Sequence, residues 1–182
     1  LLAFLCKKRN LDFNCYTIGI ENSQDIVYAK RMAEKYSLKL KYKTLDLQEF
    51  QIAIKETIKL LNSAEIVWVS VGSVLYSTAQ LALKDNIHIL FSGLGTEEIF
   101  AGYQRHEEAM QKGFEELHKE CWNGLRNMWQ RDLLRDFTIA KHLGLDIRTP
   151  YMDKNVIHAA MEVNPMHKLY TVNKKIILRE IS

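Results

Sequence analysis

Residues Phe91–His106 read FSGLGTEEIFAGYQRH, and the fold turns on how this stretch is taken. Just upstream, Ile87–His88–Ile89–Leu90 is apolar and β-branched enough for a short buried strand. Ser92, Gly93, Gly95 and Thr96 follow, and then the adjacent acids Glu97 and Glu98. Glycine lets a backbone approach a ligand closely, and the free N–H groups of a helix start attract anions. In open parallel sheets ligands bind beyond the carboxyl ends of the strands, where this loop would sit. Paired acids there could hold Mg2+, which prefers carboxylate and phosphate oxygens. The stretch therefore reads as a nucleotide site, or more plainly as a strand, a tight turn and an acidic helix start that suits the helix dipole.

Outward from this stretch the elements alternate. Leu1–Lys8 reads as the body of a helix and Asn14–Ile20 as a strand. Ser23 is placed to cap the next helix, with Asp25 in its first turn and Ile26, Ala29, Met32, Ala33 and Tyr36 on one apolar face. Leu38–Leu45 alternates apolar and polar residues, as a half-wet strand does. Leu47–Leu61 is helical with Phe50, Ile54, Ile58 and Leu61 on one side, and Val71–Lys84 is a second helix. From Glu107 onward helix dominates, and the amphipathic Glu107–Gln130 reads as an ordinary packed pair of helices, with a lid or a partner face as the alternative. The order α-β-α-β-α-α-β, then helices, predicts an α/β protein with a parallel sheet, helices on both faces and a helical C-terminal part. With no repeat or linker, residues 1–182 read as one domain.

Composition narrows the classes. With 47% hydrophobic residues in 182, a real core is affordable. The net charge is +3, from 25 basic and 22 acidic residues without a long basic run, so nothing demands a nucleic-acid partner. No stretch reaches the roughly 20 uninterrupted apolar residues of a membrane span. The opening LLAFLCKKRN puts its charges after its apolar part, the reverse of a secretory signal. Cys6, Cys15 and Cys121 form no CxxC and read as reduced, mostly buried thiols of a cytoplasmic protein. The six histidines are scattered without metal-ligand spacing. Trp68, Trp122 and Trp129 read as packing groups.

Two further stretches carry the functional reading: DIRTPYMD at Asp146–Asp153 and NKKIILRE at Asn173–Glu180. With SGLGTEEIFAGY, and in this order, they resemble the synthetase domain of glutamine-dependent asparagine synthetases, whose pattern runs SGxGxDExFxGY, ExRxPFLD, then a lysine before an ILRE-like helix. The segment YTIGIENSQDIVYAKRMA resembles the family's second strand and following helix. Arg135–Asp136 resembles asparagine synthetase domain-containing proteins.

The resemblance implies the fold of the N-type ATP pyrophosphatases, which is adenine nucleotide alpha hydrolase-like. It also implies ATP and Mg2+ as cofactors. The chemistry would be asparagine biosynthesis: the aspartate side-chain carboxylate is adenylated, and ammonia then displaces AMP. A glutaminase domain or subunit would supply ammonia, and a homo-oligomer is an open expectation. By the same resemblance, Ile18 packs near the adenine, while Ser92, Gly93 and Gly95 border the nucleotide. Glu97 matches the acid that binds Mg2+ on pyrophosphate, and Lys175 the lysine that stabilises phosphate charge during adenylation. A cation where negative charge develops suits phosphoryl chemistry. Asp25, Glu98, Arg148 and Asp153 match supporting positions. Arg148 and Asp153 flank Pro150 and read as a buried pair pinning a turn.

The sequence also departs from the pattern. The phosphate loop SGGxDS is absent, so the chain is expected to begin just after it and to be incomplete at its N-terminus, and at its C-terminus as well. Glu97 replaces an aspartate, and Leu94 stands where the family commonly has a glutamate that helps the ammonia step. No glutaminase domain is present, and none of the cysteines is an N-terminal nucleophile. Beside the ligase stand two alternatives: a non-catalytic nucleotide-binding or scaffold relative, and a related ligase with another amino-acid substrate.

Overall fold

The structure is a computed structural model, and it describes residues 1–171 and 173–180. In chain order the elements are α1 (Leu2–Lys8), β1 (Cys15–Gly19), α2 (Gln24–Tyr36), β2 (Leu40–Thr44), α3 (Leu47–Leu61), α4 (Ile66–Leu83) and β3 (Ile89–Phe91). Then come α5 (Thr96–Ile99), α6 (Gln104–Met110), α7 (Phe114–Met128), a π-helical turn at Trp129–Leu133, α8 (Leu134–Leu143) and β4 (Asp146–Arg148). The last are α9 (Lys154–Glu162), β5 (Leu169–Tyr170), β6 (Asn173–Lys174) and α10 (Ile176–Glu180). The chain is α/β with helix dominant, and the order expected through Phe91 is the order found.

The sheet differs from expectation. Among the described residues the strands form three two-stranded pairs and not one parallel sheet. β1 and β2 are parallel, with Ile18 opposite Lys43. β3 pairs with β4, and β5 with β6 antiparallel. The strands β4, β5 and β6 lie in the part read as helical; at two or three residues each they are too short for any period to show.

The residues group into two compact units, one of Leu2–Leu90 with Leu134–Ile147, the other of Phe91–Leu133 with Arg148 onward and Leu1. In the first, α4 packs against α3 and α8. Its buried side is mostly small: Val69, Gly72, Ser73, Ala79 and Ala82. A Cβ at Gly72 would meet Thr57 Cγ2 at 2.8 Å and Ile139 Cδ1 at 3.0 Å, so glycine sets how closely the helices approach. Ala79, Ala140, Leu145 and Ile147 form the core, with Leu75, Leu83, Leu90, Phe137 and Leu143 around them. α4 is long and apolar enough to cross a membrane, which a search for unbroken apolar runs overlooks because Ser70, Ser73 and Ser77 interrupt it. Here it is a packed helix of this unit.

Local chemistry explains several boundaries. α4 starts at Ile66 and not Val71, because the Glu65 carboxylate accepts the N–H groups of Val67 (3.1 Å) and Trp68 (2.6 Å). α3 begins with a capping box in which Asp46 accepts from Glu49 N–H at 2.8 Å and Glu49 accepts from Asp46 N–H at 3.2 Å. Asp46→Ala is expected to cost about 1 kcal/mol, read as a lower denaturant midpoint at unchanged slope. The buried line of α3 runs through Ala53 and Thr57, while Ile58, assigned to the apolar face, is exposed. Ser23 sits at the start of α2 but makes no capping bond; its hydroxyl instead overlies Gly19, where a Cβ would lie 2.6 Å away. On α2 only Ile26 is buried, and Met32 is exposed.

In the second unit Leu117, Cys121, Gly124 and Met128 make one buried ridge on α7, which packs against α5 and α6. Glu107–Met128 is thus a packed helix pair, and the π turn begins at Trp129. All three cysteines are free, but only Cys121 is buried. Trp122 and Trp129 are exposed rather than core.

Candidate functional site

The site is built on the loop after β3. Ser92 N–H donates to Arg148 O (2.9 Å), and Leu94 N–H donates to Ser92 Oγ (3.2 Å). Thr96 N–H reaches Gly93 O at 3.3 Å, closing a tight turn. Gly95 then takes φ +96°, a left-handed conformation that favours glycine, and a Cβ there would strike Met152 Sδ at 2.7 Å. This starts α5, a single turn. Successive residues on a helix point about 100° apart, so Glu97 and Glu98 diverge.

Glu97 turns toward the C-terminal segment. Its Oε1 accepts from Lys175 Nζ at 2.7 Å, across 78 residues of sequence. Its Oε2 lies 2.7 Å from the Thr96 hydroxyl, whose one proton is shared with Gly93 O, also at 2.7 Å. Behind it, Gly102 N–H donates to Glu97 O (2.9 Å), and a Cβ at Gly102 would lie 2.9 Å from Glu97 Cγ. Glu97 and Lys175 keep 30% and 26% of their side-chain surface exposed, so the pair is open to a ligand. Burial pushes the Glu97 carboxyl up, but the Lys175 ammonium and the Thr96 hydroxyl outweigh it and hold the group below its ordinary value.

Glu98 turns inward. Its side chain is 1% exposed and pairs with Arg131, with the Arg105 guanidinium 3.6 Å away. Arg105 also bonds Glu120 (3.0 Å) and lies 4.0 Å from the Tyr103 ring centre; Arg131 bonds Asp132 (2.7 Å). Gly124 of α7 leaves room, since a Cβ there would lie 3.2 Å from Glu98 Cγ. Burial raises the Glu98 carboxyl above its ordinary value, against backbone N–H bonding and the Arg131 charge. Burial and the charges of Arg105 and Arg131 push His106 down to about 4, so its ring is neutral at physiological pH and accepts the Tyr103 N–H at 3.1 Å.

A buried cation precedes the C-terminal segment. Lys168 is buried completely, its ammonium 3.6 Å from the Met161 sulfur, and its backbone O accepts from Ile176 N–H at 3.1 Å. Burial lowers its pKa. Below that lowered value the charge costs stability; the cost is relieved as pH rises toward the ordinary lysine value of 10.5. Lys168→Met is therefore expected to raise the melting temperature by a few degrees at neutral pH, with the gain shrinking toward pH of about 10.5. Thermal scans across that range check it.

The residues singled out by sequence divide as follows. Ser92, Gly93, Gly95, Glu97, Glu98, Arg148, Asp153 and Lys175 lie in the second unit, and Glu97 and Lys175 are brought into contact. Ile18, nearly buried on β1, and Asp25, exposed in the first turn of α2, lie in the first unit. The buried Arg148–Asp153 pair is not found: both residues are exposed, and the Asp153 carboxylate instead caps α9 through Asn155 N–H at 2.8 Å. Asp153 stands at a helix start, where its carboxylate satisfies a free N–H group of the first turn. Thr96, Gly102 and Tyr103 lay inside the motif SGLGTEEIFAGY without a role of their own, and Arg105, Arg131 and Lys168 were missed by sequence. A signal existed for Arg131: RDLLRD holds two Arg–Asp dipeptides, and both are ion-paired, Arg131–Asp132 at 2.7 Å and Arg135–Asp136 at 2.6 Å.

The donor set fits a protein-held Mg2+ poorly. Glu97 is the one acid of the pair that faces the opening, its near oxygen already carries the Lys175 ammonium, and Glu98 is turned into the core. Among the described residues no group of three His, Cys, Asp or Glu side chains converges. What the site offers a ligand is a half-exposed ammonium beside a glycine loop, suited to an anion.

Comparison with known proteins agrees with the motif order. The profile of the asparagine synthase family matches residues 1–116 and 109–182. A protein of Methanocaldococcus jannaschii named as a glutamine-hydrolyzing asparagine synthetase is 30% identical over 161 residues, covering 88% of this chain and 30% of that protein. A Schizosaccharomyces pombe protein of the same name is 25% identical, covering 88% of this chain and 28% of that protein. A Lotus japonicus asparagine synthetase is 27% identical, covering 85% and 26%. The chain thus spans less than a third of the length of these relatives. With the profile matched from end to end, the chain belongs to the asparagine synthase family.

Proposed function

We propose that this chain is the ATP-using part of an asparagine synthetase-like ligase, with the adenine nucleotide alpha hydrolase-like fold. The reaction is adenylation of the aspartate side-chain carboxylate, followed by attack of ammonia to give asparagine, AMP and pyrophosphate. The observation that carries this reading is the contact of Lys175 with the SGLGTEE loop, which assembles two motifs of the family in one half-exposed site. Lys175 presents its ammonium to the phosphates, where negative charge grows as pyrophosphate leaves. The turn at Ser92–Gly95 brings backbone close to the nucleotide. Mg2+ enters this reading as a companion of the ATP phosphates and not as a resident of the protein. The relatives are named as glutamine-hydrolyzing, so ammonia released from glutamine by another domain or subunit is the proposed source.

One observation favours a second reading. Leu94 occupies the position where the resemblance places a glutamate for the ammonia step, which suits a non-catalytic nucleotide-binding relative or a ligase with another substrate. ATP–pyrophosphate exchange in the full-length parent separates them. Aspartate-dependent exchange supports adenylation of aspartate. Exchange with a different carboxylate keeps the ligase and changes its substrate. A folded protein with no exchange for any amino acid overturns the ligase reading.

A further inference from the structure

We infer that Glu97 is a positioning residue that tethers Lys175 and not a metal ligand. The inference rests on the reading of Lys175 as the phosphate-facing cation and concerns how the chain holds that cation in place. Lys175 sits between β6 and α10 at φ +53°, a conformation few non-glycine residues take. The main chain around it is held by Ile176 N–H on Lys168 O at 3.1 Å and Arg179 N–H on Lys175 O at 3.0 Å, and the side chain of the preceding Lys174 pairs with Glu107 at 3.0 Å. The backbone is thus placed, but four flexible methylenes would leave the ammonium free to wander. Glu97 supplies the missing constraint at 2.7 Å.

Glu97 is well placed to be a fixed anchor. Its own carbonyl is held by Gly102 N–H, its Cγ lies against the bare Cα of Gly102, and its second oxygen meets the Thr96 hydroxyl. An ammonium carries three donors. Glu97 takes one, which leaves two for phosphate oxygens. A Mg2+ on the same oxygen would sit against the Lys175 charge, and the adjacent carboxylate, Glu98, is turned into the core on Arg131. The tether and the metal site are therefore alternatives for one carboxylate, and the geometry favours the tether.

The test is amine acylation of the full-length parent, without nucleotide, read by peptide mass spectrometry as the Lys175 rate relative to Lys174. Glu97→Gln is expected to speed Lys175 labelling roughly fivefold, the scale of one half-exposed ion pair, with Lys174 unchanged. Millimolar Mg2+ alone is expected to leave the wild-type rate as it was. Thr96→Val, which keeps the carboxylate but removes its second contact, should give a smaller rise and serves if Glu97→Gln does not fold. An unchanged Lys175 rate in the variants overturns the tether. So does a rise in the wild type on adding Mg2+ alone, which would mean that the metal takes Glu97 from Lys175. In exchange assays the tether predicts a lower kcat at an unchanged half-saturating Mg2+, where a metal ligand would shift the latter. The labelling result stands even if the parent shows no exchange, so failure of the ligase reading and failure of the tether are told apart.

Discussion

Lys175→Met is expected to lower aspartate-dependent ATP–pyrophosphate exchange by about 10²- to 10³-fold, the loss found when one preorganised donor to a developing charge is removed. Stability should barely move. The Lys175–Glu97 pair is about one quarter to one third exposed, and such a pair contributes about 1 kcal/mol at most. Methionine keeps the length and most of the apolar stem, so packing along the chain is preserved. The combination of lost exchange with a melting temperature within a few degrees of wild type is the signature of a group that meets the phosphates. Exchange retained to within a few-fold would remove Lys175 from the reaction.

The largest effect on stability is expected at the neighbouring acid. Glu98→Ala deletes a buried carboxylate and leaves Arg131 and Arg105 without its charge, a change that costs about 3 kcal/mol or more. Glu98→Gln keeps the shape and one acceptor and should cost roughly half as much. Denaturant unfolding of the three proteins orders them wild type, Gln, Ala. Their pH dependence should also differ. A carboxyl raised in the folded state contributes stability that is present below its unfolded value and lost as pH climbs through the folded one. Glu97, lowered in the folded state, does the opposite: its contribution is present above the unfolded value and lost as pH falls through the folded one. Acid titration of Glu98→Gln should therefore lose the first component and keep the second.

How much of this was legible differs by element. Helices α2 and α3 and strands β1 and β2 announce themselves, because alternating or helical apolar spacing persists over enough residues to be seen. The start of α4 was hidden by an unusual glutamate cap, and β4 to β6 were hidden by brevity. The apolar face of α3 was misplaced because Ala53 and Thr57, small and partly polar, hold its centre while the larger Ile58 lies outside. At the site, the motif order singled out Glu97 and Lys175, and the structure brings these two side chains into contact. The motif order could not point to Arg131 as the partner of Glu98. That residue arrives on a π turn, whose wider spacing breaks the 3.6-residue rhythm by which facing residues are ordinarily predicted.

The one-turn helix α5 has a consequence for how this protein can vary. Glu97 and Glu98 serve opposite directions only because they are neighbours on a single turn, framed by Gly95 before and Gly102 after. Adding or deleting one residue between those glycines would rotate both acids and exchange their destinations, whereas a Cβ at Gly93 meets nothing within 4 Å. The loop thus counts residues more strictly than it chooses them. A library that randomises positions 93 and 94 at fixed length should be rich in folded members, and one that varies the length between Gly95 and Gly102 should be nearly empty of them.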